Sequence, residues 1–295
     1  MIIVKLQGGL GNQMFQYACG RAVSLKHSVP LYLDVAGFPD HNDRVYNLDM
    51  FNIKAQIATE ELIIDLMYKE TTLLDKLKTK VLFKTIKKSF SSKYFPEKEP
   101  CVYDCSIFNV EKDVYLHGYW QSEEYFKGIS NILKEDFTLK NPLSKKSKEI
   151  ADMICSSDSV SVHVRRGDYV SNPQTNKVHG TCDLSYYLKA VEIIASHVNN
   201  SHFYVFSDDP DWTKDNLQID FPVTFINHND VSKDYEALIL MSLCKHQIIA
   251  NSSFSWWGAW LNKNDKKTVV APERWFAIEE RNKKNDIVPA TWTKT

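Results

Sequence analysis

The chain predicts an α/β protein of two facing domains with a cleft between them, on three observations. Short apolar runs bounded by turn residues alternate with segments of helical spacing, most regularly after residue 158. Alternation of this kind gives parallel strands covered by helices on both faces. The 295 residues suffice for two domains of ordinary size. Asn141 and Pro142 break the chain near its middle, which places the boundary around 138–145 and the domains at 1–140 and 141–295.

In the N-terminal half, residues 1–7 (MIIVKLQ) read as a buried strand and Gly8, Gly9 and Gly11 as a turn. A helix begins near Asn12, with Met14, Phe15, Ala18, Cys19, Ala22 and Val23 at helical spacing, and a second strand covers 31–34. This order aims backbone N–H groups and a helix N-terminus at the end of the first strand, a place suited to an anion or a sugar. The glycines also match part of a dinucleotide fingerprint, with Asp34 where a ribose partner would stand. Met14 takes the third small-residue position, however, so a nicotinamide cofactor is not expected.

Residues 59–88 read as helical and lysine-rich, with Lys69, Lys76, Lys78, Lys80, Lys84, Lys87 and Lys88. They form a solvated face, or one that meets a membrane surface or an anionic acceptor. Residues 91–100 read as loop, and 113–118 as a strand followed by Tyr119, Trp120, Gln121 and Ser122. An aromatic pair with polar neighbours stacks on a sugar ring or packs in a core. Beyond the boundary, a helix at 144–155 leads into strands at 159–165, 202–207, 222–227, 247–251 and 268–271. The helices between them are 184–198, 211–217, 232–246 and 253–262.

Composition excludes several classes. Hydrophobic residues make up 43% and charged residues 25%, a globular mix. A net charge of −1 gives no general attraction to nucleic acid or anionic lipid, so any cationic site is local. No run approaches the length of a spanning helix. The opening residues lack the charged and apolar regions of a signal peptide. The six scattered cysteines read as reduced thiols without zinc-site spacing, and the expected location is the cytoplasm.

Three strand ends of the C-terminal half carry polar chemistry. The first runs from His163 through Arg165, Arg166 and Gly167 to Asp168. Arginine offers a planar fork of fixed charge that matches phosphate oxygens, and strand carboxyl ends are where open α/β sheets bind ligands. The second ends in Asp208, Asp209 and Pro210, read as adjacent carboxylates at a turn and suited to ribose hydroxyls or a base N–H. The third ends in Asn251, Ser252, Ser253 and Phe254 at a helix start, suited to phosphate. Each alone is an ordinary turn, cap or surface ion pair. Together they outline a nucleotide site. Trp256, Trp257 and Trp260 recur at helical spacing and read as core.

The stretches Leu6–Phe15 (LQGGLGNQMF), His163–Tyr169 (HVRRGDY) and Ile249–Trp260 (IANSSFSWWGAW) together resemble glycosyltransferase family 11, with support from Gly118–Ser122 and Ala271–Trp275. These are the α-1,2-fucosyltransferases, and the likeness is to bacterial members without a membrane anchor. The resemblance implies a GT-B-like fold of two Rossmann-like domains, with the nucleotide-sugar site mainly on the C-terminal one. It implies transfer of L-fucose from GDP-fucose to the 2-hydroxyl of a galactose-terminated glycan, with inversion and without a metal or other cofactor. By the family pattern His163, Asn251, Ser252, Ser253 and Phe254 line the GDP site, while Gly9, Gly11 and Asn12 reach phosphate or fucose from the other domain. Arg165 is the candidate for stabilising the departing diphosphate. Arg166, on the opposite side of the extended chain, holds the loop through acidic neighbours. Asp168 is the first candidate for the base, ahead of Tyr235 and Glu236, or else the carboxylate that orients an arginine. Tyr119, Trp120 and Gln121 are acceptor candidates. No nucleic acid partner is expected, and a peripheral membrane contact would fall on the 69–88 region. The competing readings are a fucosyltransferase for another acceptor class and a non-catalytic module that binds a nucleotide sugar or glycan.

Overall fold

The computed structural model describes residues 1–38, 45–68, 90–226 and 233–295. It forms two compact units, one of residues 1–8 and 12–138, the other of 9–11 and 139–295. All seven lysines of the lysine-rich run, and with them the region expected to make a membrane contact, lie outside the described residues.

The first unit opens with β1 (Ile2–Lys5), whose first three residues are buried. Gly8, in the left-handed region at φ 78°, turns the chain, and α1 (Leu10–His27) starts two residues earlier than the sequence suggested. The unit continues with β2 (Leu31–Asp34), β3 (Gln56–Ile57) and α2 (Glu60–Met67), the last capped by the Thr59 hydroxyl. Next come β4 (Tyr94–Pro96), β5 (Val114–His117) and α3 (Ser130–Asp136). Its five strands are all parallel, in the order β3-β2-β1-β5-β4. The stretch expected as loop at 91–100 thus contains a strand. It is a three-residue edge strand that pairs only with β5 and ends in proline, too short to show alternation.

The second unit runs α4 (Lys145–Cys155), β6 (Asp158–Val164), α5 (Gly167–Ser171), α6 (Pro173–His179), α7 (Leu184–Ala195) and β7 (Ser201–Ser207). It continues with α8 (Pro210–Asn216), β8 (Val223–Ile226), α9 (Asp234–Leu243), β9 (His246–Ile248) and α10 (Ser253–Leu261). It closes with β10 (Val269–Ala271), α11 (Glu279–Asn282) and β11 (Thr293–Lys294). The sheet is parallel throughout, in the order β11-β10-β9-β6-β7-β8. Alternation along β7 shows both faces covered. Phe203 and Val205 join a core with Tyr187, Val191 and Ile194 of α7, and Tyr204 and Phe206 join one with Leu240 and Met241 of α9. Each such side chain contributes about 1.5–3 kcal/mol of burial. The three tryptophans of α10 are core as expected, and Trp256 donates from Nε1 to the Ile287 carbonyl at 2.6 Å.

In both units the first strand is central and the chain reverses direction of addition beside it, between β1 and β5 in one and β6 and β9 in the other. Ligands of doubly wound folds bind at the carboxyl ends of strands beside such a switch point. The expectation of two Rossmann-like units, the GT-B-like class, stands.

Candidate active site

At the carboxyl end of β6 the backbone passes from extended to helical within three residues. Val164 ends the strand and Gly167 opens α5. That abrupt change gathers the side chains. Arg165 reaches Asp168 Oδ1 with Nη2 at 2.5 Å and Asp208 Oδ2 with Nη1 at 2.9 Å. The Tyr169 ring lies 5.3 Å beneath its guanidinium carbon. Burial opposes the charge on Arg165, but Asp208 and Asp168 outweigh it and raise the pKa, so this cation persists at every working pH. The two carboxylates take one N–H from each terminal nitrogen of a group that carries five.

Arg166 faces the other way. Its backbone N–H donates to Asp208 Oδ1 at 2.8 Å, its Nε pairs with Asp209 Oδ2 at 3.0 Å, and its guanidinium lies 3.3 Å from the Trp212 ring centre. It braces the loop, as its position on an extended chain suggested. Trp212, in the first turn of α8, was not singled out from the sequence; an aromatic shortly after an acidic helix start was the available signal.

The local charge differs from the sequence expectation. Two arginines meet three carboxylates, Asp168, Asp208 and Asp209, so the cluster is balanced slightly negative rather than cationic. Asp168 is held by Arg165, which favours its reading as the carboxylate that orients the arginine. Asp209 and Asp211 also have Asp-x-Asp spacing, which reading a plain turn passed over. Asp209 is taken by Arg166, Asp211 is exposed, and no group of three or more His, Cys, Asp or Glu that could hold a metal ion occurs among the described residues.

His163, one strand position before Val164, is 4% exposed and its Nδ1 has no partner. Its ring lies 5.7 Å from Phe254. Burial lowers its pKa to about 4 against the pull of Asp208, with Arg165 adding to the decrease. It is therefore a neutral imidazole with an uncommitted buried nitrogen beside the arginine.

Beyond β9, the residues expected to line the donor act as braces. Asn251 is buried, and its amide donates to the carbonyls of His179 at 3.0 Å and Trp275 at 3.1 Å. Its own carbonyl accepts from Tyr169 at 3.1 Å. Ser252 caps α10 by accepting from Phe254 N at 3.3 Å. Gly11, expected on the N-terminal side, belongs with Gly9 to the C-terminal unit. A Cβ on Gly11 would stand 2.5–2.6 Å from backbone atoms of Ser253 and Phe254, so only glycine permits that approach. Glu236, a reserve base candidate, is buried and accepts from Ser144 N, Ser144 Oγ and Ser147 Oγ at 2.6–2.8 Å, which fixes it as a cap of α4.

The remaining candidates lie in the first unit. Gln121 donates to Asn12 Oδ1 at 2.8 Å, and Tyr119 is 36% exposed. Trp120 is fully buried against Tyr125 and Phe95, so its ring is core and not a platform for an acceptor. It takes φ 56°, held there by Glu97, which accepts from the N–H groups of Tyr119 at 2.7 Å and Trp120 at 3.0 Å. No helix among the described residues is long and apolar enough to cross a membrane.

The model of glycosyl transferase family 11 matches residues 1–295. The chain is 38% identical to an alpha-1,2-colitosyltransferase of Escherichia coli, over all of this chain and 98% of that one. It is 31% identical to the O-antigen biosynthesis glycosyltransferase WbnK of Escherichia coli, over 94% and 96%. Among solved structures, POFUT1 in complex with GDP shares the fold at a TM-score of 0.50 and 14% identity, covering 91% of this chain and 97% of that one.

Proposed function

The chain belongs to glycosyl transferase family 11, and on that premise we propose that it transfers L-fucose from GDP-fucose to the 2-hydroxyl of a terminal β-galactoside, with inversion and without a metal. One observation carries the donor half of this reading. At the switch point of the second sheet, a permanently charged arginine is held in a fixed orientation by Asp168 and Asp208 beside a neutral buried histidine. A pre-oriented guanidinium suits a diphosphate whose charge grows as the sugar departs, and such a donor is worth roughly 3 kcal/mol in the transition state. The α-1,2 linkage in the name of the 38% identical relative supports attack by a 2-hydroxyl. The second relative, named for O-antigen biosynthesis, supports a glycan of a bacterial surface polysaccharide as acceptor.

The same colitosyltransferase favours a second reading of the donor. Colitose is L-fucose without its 3-hydroxyl. A site that hydrogen-bonds that hydroxyl rejects the deoxy sugar by about 10⁴-fold, whereas an apolar site discriminates by only about 10²-fold. The test is GDP release from GDP-fucose and from GDP-colitose, with and without lactose, in EDTA. Lactose-dependent release from GDP-fucose with a fucosylated trisaccharide as product supports the first reading, and preference for GDP-colitose replaces it with the second. Release abolished by EDTA contradicts metal independence, and release from neither donor contradicts the reading itself.

A further inference from the structure

The Arg165 guanidinium is gripped at its two ends, Nη2 by Asp168 and Nη1 by Asp208. A planar group held at two points still rocks about the line that joins them. A tilted fork loses the parallel pair of bonds that makes arginine a good partner for phosphate. A third contact, on the face of the group, removes that freedom. Tyr169 makes it: the guanidinium carbon stands over its ring, 5.3 Å from the ring centre and within cation–π range.

Tyr169 is itself fixed in backbone, ring and hydroxyl. Its carbonyl accepts from Asn176 Nδ2 at 2.6 Å. Its hydroxyl donates to the Asn251 carbonyl at 3.1 Å, and burial pushes that hydroxyl up to about 12, so it stays a donor. Its ring stacks on His179, with centres 5.0 Å apart and planes 14° from parallel, and His179 meets Phe276 at 5.7 Å. The end of α6 is tied down in turn. The His179 carbonyl accepts from the Asn251 amide at 3.0 Å, and the Val178 carbonyl accepts from Ala277 N at 3.0 Å. The support therefore comes from α5, α6, the chain after β9 and the chain after β10, all within the second unit. Asn251 has a part in it without touching the arginine, because its carbonyl holds Tyr169 and its amide holds the residue on which Tyr169 stacks.

We propose that Tyr169 is a positioning residue for the donor diphosphate: its ring fixes the plane of the Arg165 guanidinium, and Asn251 and His179 act through that ring. The inference rests on the transferase reading above. Removing the ring leaves the charge of Arg165 and both ion pairs in place and frees only the tilt of the fork.

The experiment titrates the full chain with GDP by calorimetry and follows its melting, for wild type, Tyr169→Leu, Tyr169→Phe, Arg165→Lys and the double variant of Tyr169→Leu with Arg165→Lys. Tyr169→Leu is expected to weaken GDP binding about tenfold, or about 1.4 kcal/mol, within the range of a partly desolvated cation–π contact. Tyr169→Phe keeps the ring and is expected to hold affinity to within about threefold, while it loses the bond to Asn251 and melts lower. Lysine has no plane to fix, so beside Arg165→Lys the leucine substitution is expected to cost less than about twofold. A residue that only supported the fold would weaken binding by the same factor in both backgrounds. Equal factors, or unchanged affinity in Tyr169→Leu while the wild-type chain binds GDP, overturn the inference and leave the donor reading intact. If Tyr169→Leu does not melt cooperatively, His179→Ala takes its place in the cycle. A loss of about threefold that vanishes beside Arg165→Lys then supports the inference, and equal losses or none overturn it. A wild-type chain that binds no GDP overturns the donor reading, and this inference with it.

Discussion

Arg165 and His163 show how differently two neighbouring residues respond to one environment. Arg165 keeps its charge because two carboxylates sit on its terminal nitrogens, and His163 loses its charge because burial outweighs Asp208. The histidine has a consequence for stability that can be signed. Its folded pKa, about 4, lies below the usual 6.5, so the unfolded chain binds the extra proton between those values. Its share of stability is intact above about pH 6.5 and is lost progressively as pH falls towards 4, by roughly 3 kcal/mol in full. Urea unfolding at pH 7 and pH 4.5 measures the loss, and His163→Gln is expected to show the smaller difference of the two proteins. Equal slopes would mean that the imidazole is not kept neutral. At this scale the sequence was partly legible. Arginine, aspartate and histidine at a strand end announced an anion site, but that Arg165 pairs with both Asp168 and Asp208 depends on β7 lying beside β6, which no local pattern states.

Among the elements, the passage from β6 into α5 turns on Gly167. A Cβ there would stand 2.4 Å from Asp208 Oδ2, and that carboxylate is pinned by Arg165 and by the Arg166 N–H. Alanine improves helix propensity by roughly 0.5–1 kcal/mol. The charge-assisted bonds it displaces are worth about 1.5–3 kcal/mol each, so the loss wins. Gly167→Ala is expected to lower the melting temperature and to weaken GDP binding about tenfold, the equivalent of one such bond. Calorimetry and a GDP titration check this; an unchanged affinity would separate Asp208 from the donor site. Longer elements were legible from their spacing: β6 by a valine at every second position, β7 by an apolar run bounded by turn residues, and α7 by apolar residues at helical intervals. The pieces missed were β3, β4, β11, α3, α5, α6 and α11, between two and seven residues long and too short for any period to register.

At the scale of the whole molecule, one chain repeats an arrangement: two parallel sheets, each with its first strand central and a polar group at the switch point. The α/β class and the doubling were legible from alternation and length, and the family from three motifs in order. What the motifs could not convey is that Asn251 and Ser252 brace the site while Trp120 disappears into a core, because a motif names residues and not their exposure. The central claim is that the β6 cluster receives the diphosphate of a GDP-sugar. The measurement that tests it most directly is calorimetric titration with GDP in EDTA, on the wild-type chain and on Arg165→Lys, which keeps the charge and loses the fork. The account predicts saturable one-site binding by the wild-type chain, weakened at least about tenfold, or 1.4 kcal/mol, in the variant while both proteins melt cooperatively. Absence of GDP binding by the wild-type chain, or equal affinity in the two proteins, would contradict it.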